Sequence, residues 1–280
     1  MEVGSLMRRD SRRWVAGVVF LVAILVLSLA GPVGSAPSRA PGDLLPNLVA
    51  FPTRNVSVGM GGETCDPYET VEQGAERCLR YDTIVANFGH GALELRYDAT
   101  GIGTNQNLYQ RVFRTDGSHW DVVADEYVLH PTHAHFHYAN FAQGHLWKSN
   151  KRGKKKGKQP VRSGNKAGFC LLDIEDNRQG TKYDQEARYD QVDTCFPLTV
   201  EGASLAQVNG LSVGWADIYY SGLTDQYIEV TDVPDGYYVL EVEVDPLDTV
   251  LELNNSDNSS YSHIQIKGSE VILVPPGTKP

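Results

Sequence analysis

Tyr227-Ile228-Glu229-Val230-Thr231-Asp232-Val233 runs into Pro234-Asp235-Gly236 and then, after two tyrosines, into Val239-Leu240-Glu241-Val242-Glu243-Val244. In the second run Leu240, Val242 and Val244 alternate with Glu241 and Glu243. Successive side chains of a strand point to opposite faces, so a period of two gives one apolar and one charged face. Pro-Asp-Gly between two such runs is turn chemistry: proline presets its φ, and glycine accepts backbone conformations that side chains disfavour.

The pattern recurs upstream. Tyr81–Phe88 and Ala92–Tyr97 flank a Gly89-His90-Gly91 turn, and Leu93, Leu95 and Tyr97 alternate with Glu94 and Arg96. Leu108–Arg114 ends near the turn pair Asp116-Gly117, and Val122–Leu129 follows. Pro46–Phe51 predicts the first strand of the folded domain and Gly168–Leu172 a short buried one, whereas Asp173–Asp193 is polar and loop-like. Thr249–Leu253 and Ser262–Lys267 predict two more strands. Beyond the N-terminus no segment sustains the helical period, and there is no internal repeat. Short strands separated by turns predict an all-β chain, an antiparallel β-sandwich with long functional loops and little helix.

The N-terminal residues are set apart from this. Arg8, Arg9, Arg12 and Arg13 precede the apolar run Val15–Ala30, and Gly34-Ser35-Ala36 offers small residues for cleavage. Residues 1–36 therefore predict a signal peptide, with an uncleaved signal anchor as the alternative; Ser11-Arg12-Arg13-Trp14 also has the look of a twin-arginine export signal. Either route puts the body of the protein outside the cytosol, secreted or at the cell surface. Residues 37–45, with proline and glycine and few apolar groups, predict a linker; 46–268 is the expected folded domain and 269–280 a tail. Cys65, Cys78, Cys170 and Cys195 suit an oxidising compartment. Of the three possible pairings, the local ones, Cys65–Cys78 and Cys170–Cys195, are expected. A net charge of −10 argues against a general nucleic-acid binder.

Five of the 8 histidines fall within His130-Pro131-Thr132-His133-Ala134-His135-Phe136-His137-Tyr138-Ala139-Asn140-Phe141-Ala142-Gln143-Gly144-His145. In an extended strand His133, His135 and His137 share one face. Three converging imidazoles suit copper, zinc, iron or nickel rather than the oxygen-seeking magnesium and calcium. Lys148–Lys166 is strongly basic, with Lys151, Arg152, Lys154, Lys155, Lys156, Lys158 and Arg162 between its ends. It predicts a solvated loop between strands, with attraction of an acidic partner as the functional alternative.

Several separate blocks resemble the lysyl oxidase family, extracytoplasmic copper amine oxidases whose lysine tyrosylquinone cofactor is made from their own side chains. His130, His133, His135 and His137 match the family's His-x-x-His-x-His-x-His copper motif. The resemblance implies copper held by His133, His135 and His137, with His130 behind them. Gly164-Asn165-Lys166-Ala167-Gly168-Phe169-Cys170-Leu171-Leu172-Asp173 is similar to the segment bearing the cofactor lysine, which falls on Lys166. Leu211-Ser212-Val213-Gly214-Trp215-Ala216-Asp217-Ile218-Tyr219 is similar to the segment bearing the cofactor tyrosine, which falls on Tyr219. The likeness runs from about Pro46 to Gly268 and is weakest over Met60–Trp120.

Departures from the animal enzymes are local. Trp215 stands where they have cysteine. Ala139, Asn140 and Gln143 stand near positions where they have acidic residues and a further histidine, and His145 lies beyond that histidine's spacing. His145 and Asp217 are the candidates for the catalytic base. The implied activity is oxidative deamination of a primary amine, a lysine side chain of an extracellular protein or a small amine. Dioxygen is consumed, and aldehyde, ammonia and hydrogen peroxide are released. A non-catalytic copper-binding sandwich is the alternative, and a plain adhesion module a third.

Overall fold

β3 (Arg77–Asn87) is the strand on which three sheets converge. The computed structural model describes residues 39–60, 65, 76–98, 106–129, 136–138, 140–164, 170–190, 206–223 and 226–275. All of its strands lie within the unit Pro37–Pro280, every pairing is antiparallel, and no helix occurs among the described residues.

In the central sheet, β2 (Leu48–Met60) runs along one edge of β3. The other edge is shared by β12 (Trp215–Tyr219) and β13 (Tyr227–Glu229), with β10 (Glu175–Asp176) beyond β12. The second sheet has the order β11 (Ala206–Leu211), β4 (Leu93–Asp98), β5 (Gln106–Arg114), β6 (His119–Leu129), β7 (Phe136–Tyr138), and β1 (Asp43–Leu44) joins β5. The third has the order β16 (Glu270–Leu273), β15 (Ser259–Lys267), β14 (Gly236–Val244), β8 (Ala142–Lys148), β9 (Arg162–Ser163).

Alternation along β3 explains how one sheet serves two partners. Leu79, Tyr81 and Val85 share a face. Val85 enters a core with Leu93, Leu95 and Tyr97 of β4, Leu108 of β5 and Tyr138 of β7. Leu79 and Tyr81 enter a second core with Leu146 of β8, Leu240 and Val242 of β14 and Ile264 of β15. The reverse face carries Ile84 and Ala86, which pack with Ala216 and Ile218 of β12. Each large apolar side chain buried this way contributes about 1.5–3 kcal/mol. The result is the expected all-β, sandwich-like architecture.

Polar side chains tie these layers together. Asn87, fully buried, accepts from the N–H groups of Asn47 (3.0 Å) and Gly89 (2.9 Å) and donates to the carbonyls of Gly91 (3.0 Å) and Leu211 (2.9 Å). β2 departs from regular pairing between Phe51 and Arg54 and again between Arg54 and Ser57, with Asn55 at φ 48°. At the first irregularity β15 takes over as partner: the Thr53 N–H donates to Ser262 Oγ at 3.1 Å, and Ser260 Oγ donates to the Phe51 carbonyl at 2.8 Å.

Several sequence expectations shift. The 37–45 segment is docked where it is described: Asp43 and Leu44 pair with Arg114 and Phe113, and Leu45 is 1% exposed. Residues 270–273 of the expected tail pair with β15. Thr249–Leu253 is not a strand, because side chains replace the ladder. Asp245 accepts from the N–H groups of Thr249 and Val250, and Gln110 accepts from Leu251 N–H and donates to its carbonyl. In Gly168–Leu172 the described residues 170–172 are irregular although Leu171 is buried. Cys65 is bonded to Cys78. Cys170 is also disulfide-bonded, and Cys195 lies outside the described residues. The described residues contain no helix long and apolar enough to cross a membrane, and the Val15–Ala30 run lies outside them.

Candidate active site

β12 carries the tyrosine block. It begins at a turn in which Trp215 N–H donates to the Ser212 carbonyl at 3.1 Å and Gly214 sits at φ 87°. A side chain at 214 would meet the left-handed penalty and Arg178 Cα at 3.1 Å, so glycine is required there. Trp215 Nε1 donates to the Gln185 carbonyl at 2.9 Å, and the Arg178 guanidinium lies over its ring. The residue that departs from the family pattern thus anchors the loop before Glu186.

Trp215, Asp217 and Tyr219 lie on the face opposite Ala216 and Ile218. Trp215 and Tyr219 pack, partly buried, against the core that Tyr138 enters. Tyr219, opposite Thr83, ends the strand, and Tyr220 beyond it is exposed. Asp82 accepts from Ser221 N–H at 2.8 Å, fixing the chain just past Tyr219.

Asp217 is 3% exposed, and its Oδ2 has no hydrogen-bond partner among the described residues. Burial pushes its carboxyl well above the usual carboxylate range. The nearby Asp173 charge adds to this, while backbone N–H groups of Ile218 and Leu172 oppose it. It shares a strand face with Tyr219 at two-residue spacing.

The lysine block is fastened at both ends. At its start Gly164 N–H donates to the Gly144 carbonyl at 2.9 Å. Residues 165–169, Lys166 among them, lie outside the described residues. From Cys170 onward the chain is stapled to the tyrosine block. Gly210 N–H donates to the Leu171 carbonyl (3.2 Å), Ile174 N–H to Ala216 (3.0 Å) and Asn177 N–H to Gly214 (2.8 Å). Glu175 and Asp176 pair with Ala216 and Trp215. At the centre Asp173 accepts from Ser212 N–H (2.8 Å), Ser212 Oγ (2.7 Å), Arg188 N–H (2.8 Å) and Tyr189 N–H (3.1 Å). Sequence reasoning gave Asp173 no role; its only signal was a carboxylate directly after Leu171-Leu172, of which Leu171 is buried.

Of the histidine stretch, His130, His133 and His135 lie outside the described residues, and His137 is described in its backbone alone. His137 pairs with Val128, and the following Tyr138 is fully buried with its hydroxyl 3.0 Å from Thr249 Oγ1. Among the described residues no three His, Cys, Asp or Glu side chains gather as a metal group.

His145 is on β8, and its neighbours Gly144 and Leu146 face the core. Its Nδ1 lies 2.8 Å from Ser163 Oγ and its Nε2 3.7 Å from Glu243 Oε2. It belongs to the outer face of the third sheet, whereas Asp217 and Tyr219 belong to the core-facing side of the central one. Of the two base candidates, Asp217 is the one that shares a face with Tyr219.

Fold and site define an all-β protein in which two distant segments are stapled strand to loop beside a histidine-bearing strand. The lysyl oxidase family model matches residues 112–275, which include the histidine stretch, Lys166 and Tyr219. The chain belongs to the lysyl oxidase family. It is 28% identical over 198 residues to human lysyl oxidase homolog 3, covering 70% of this chain and 22% of that protein. It is 30% identical over 143 residues to human lysyl oxidase homolog 1 (51% and 21%). With chicken protein-lysine 6-oxidase the identity is 31% over 140 residues (50% and 28%). The chain therefore spans less than a third of the length of these relatives.

Proposed function

We propose that the chain is a secreted copper amine oxidase that oxidatively deaminates primary amines, lysine side chains or small amines, with a quinone built from Lys166 and Tyr219. The stapling of the segment after Lys166 to the strand ending in Tyr219 carries this reading. Fifty-three positions separate the two residues in sequence, yet Asp173 and the β10–β12 pairing hold their flanks together. The donor chemistry also fits: His133, His135 and His137 offer neutral imidazoles on a chain that enters the core Tyr219 packs against.

His133, His135 and His137 would hold the copper. Copper, with dioxygen as oxidant, would supply the oxidising power for making the quinone from Tyr219 and Lys166, and the quinone would supply the carbonyl chemistry toward a primary amine. The rest falls to the chain's own side chains. The core around Tyr138 and Leu171 excludes water from one side of Tyr219. Asp217, held on the same face by the N–H groups of Leu172 and Ile218, would act as the base, taking a proton through its Oδ2, which has no partner among the described residues. Its burial strengthens it as a base once ionised.

The test is peptide mass spectrometry of the copper-loaded protein. A single crosslinked species containing Lys166 and Tyr219 is expected, together with phenylhydrazine labelling that Lys166→Ala abolishes while copper stays bound. Recovery of both residues only in separate, unmodified peptides defeats the proposal and leaves a copper-binding sandwich. Absence of stoichiometric metal as well leaves an adhesion module.

A further inference from the structure

Loop 149–161, between β8 and β9, is built rather than slack, and it holds a charge the amine-oxidase chemistry does not use. Six cations, Lys148, Lys151, Arg152, Lys154, Lys156 and Lys158, are exposed along it. Like charges this close repel, so an unsupported loop would spread. Several contacts hold it together. Asn150 Oδ1 accepts from the N–H groups of Arg152 (2.9 Å) and Lys154 (3.0 Å), and Lys156 N–H donates to the Lys148 carbonyl at 2.7 Å. Gly153, at φ 74°, lets the turn lie against the His263 ring.

Lys155 is the stake. It turns inward from its exposed neighbours, with Nζ 4.3 Å from the centre of the Trp147 ring, 4.4 Å from that of Tyr261, and 2.8 Å from Glu241 Oε2. Trp147 Nε1 also donates to Glu241, which fixes the carboxylate between β8 and β15. Glu241 is held below the usual range by Lys155, Tyr261 and Trp147 against the opposing effect of burial. Among the described residues the ion pairs of the segment are Lys155 with Glu241, and Arg162 with Glu229 and Asp232. The six exposed cations have none among the described residues.

We infer that this loop is a docking platform for an acidic segment of a protein partner, which on the amine-oxidase reading is the protein that presents the lysine. Charge complementarity names the occupant. A chain of net charge −10 repels anionic proteins as a whole, so a concentration of cations is where an acidic segment can be held. Five of the six cations are lysines, compact charges on flexible stems that demand no fixed partner geometry and so suit a flexible acidic segment. The loop leads through β9 directly into Gly164, where the lysine block begins.

The test uses the full mature protein and a fluorescein-capped, N-blocked peptide of ten glutamates, read by fluorescence anisotropy. Saturable binding that weakens as salt rises is expected. The variant Lys151→Gln, Arg152→Gln, Lys154→Gln, Lys158→Gln should lose ~16-fold in affinity, about twofold for each exposed ion pair. Its thermal unfolding should not change. Lys155→Ala should weaken binding more than Lys148→Ala, although each removes one charge, because only the first pulls the stake. Equal affinity in the quadruple variant, no saturable binding in low salt, or tighter binding of a sulfated polysaccharide than of the glutamate peptide overturns the inference. The peptide carries no amine, so its binding is read apart from catalysis: binding with no Lys166–Tyr219 crosslink would sink the enzymatic reading and leave the platform, and the reverse would sink the platform alone.

Discussion

Glu252, 1% exposed, couples the stability of the fold to pH. Its carboxylate accepts from Leu48 N–H at 2.7 Å and from Asn258 Nδ2 at 2.7 Å. Burial, reinforced by the charges of Asp245 and Asp257, outweighs these hydrogen bonds and moves its pKa from 4.5 up to about 7. The folded chain therefore holds this proton more tightly than the unfolded one. The resulting stability is fully present below pH 4.5 and is lost as the pH rises through about 7. A gap of about 2.5 pH units at 1.36 kcal/mol each corresponds to about 3 kcal/mol. Glu252→Gln cannot ionise, and the pocket suits it. Asn258 Oδ1 is buried without a partner, so a flip of the Asn258 amide offers that oxygen to the new N–H group. Urea denaturation should show the two proteins within about 0.5 kcal/mol of each other at pH 4.5 and the variant more stable by about 3 kcal/mol at pH 8. That gain corresponds to roughly 6–12 °C in Tm for a domain of this size. A difference between the two proteins that is the same at both pH values would refute the reasoning.

Asp173→Ala strands two backbone N–H groups and one hydroxyl that are buried, besides Arg188 N–H, and should lower stability by about 4 kcal/mol in urea titrations while reducing the yield of the Lys166–Tyr219 crosslink. An unchanged urea midpoint would remove it as the staple. Gly144→Ala puts a Cβ 1.9 Å from the Tyr81 hydroxyl and 3.3 Å from Ile228, and should cost about 1–3 kcal/mol by calorimetry. Asp217→Asn should gain stability over the wild type as the pH rises above the ordinary carboxylate range, since the buried acid loses its contribution on ionising and the amide does not. As the base variant it should also lower kcat/KM by about 100-fold or more, and full activity would exclude Asp217 from that role.

What was legible in the sequence was what depends on local period. Leu240 and Val242 reach the second core, and Leu93, Leu95 and Tyr97 the first, as their alternation requires. What was not legible depends on partners far along the chain. Thr249–Leu253 has strand-forming residues, but its N–H groups are taken by Asp245 and by Gln110, 141 positions away. Asp43-Leu44 and Glu270–Leu273 look like linker and tail because two- and four-residue strands carry too little pattern to register. At the site, the tyrosine block stood out only by its resemblance to the family's segment; the strand Trp215–Tyr219 that carries it is five residues long and was not read from period. Asp173 did not stand out, since a clamp made of four donors from residues 188, 189 and 212 leaves no local signature. His145 looked equivalent to its neighbours in one histidine-rich run, but the chain between Tyr138 and Ala142 passes from the second sheet to the third and carries it to another face.

The Ser260 and Ser262 contacts to β2 also bear on how copies of this protein avoid one another. An unpaired strand edge is a template for another chain, and a 13-residue edge such as that of β2 would be a long one. Here the edge is bent by two irregularities and partly saturated by hydroxyls from β15, so no straight run of free donors and acceptors is offered. Elsewhere β7, β9 and β16 close sheet margins with three, two and four residues. Removing the hydroxyls at 260 and 262 would therefore cost folding energy, since the Thr53 N–H is buried, and would also leave concentrated protein more prone to associate edge to edge.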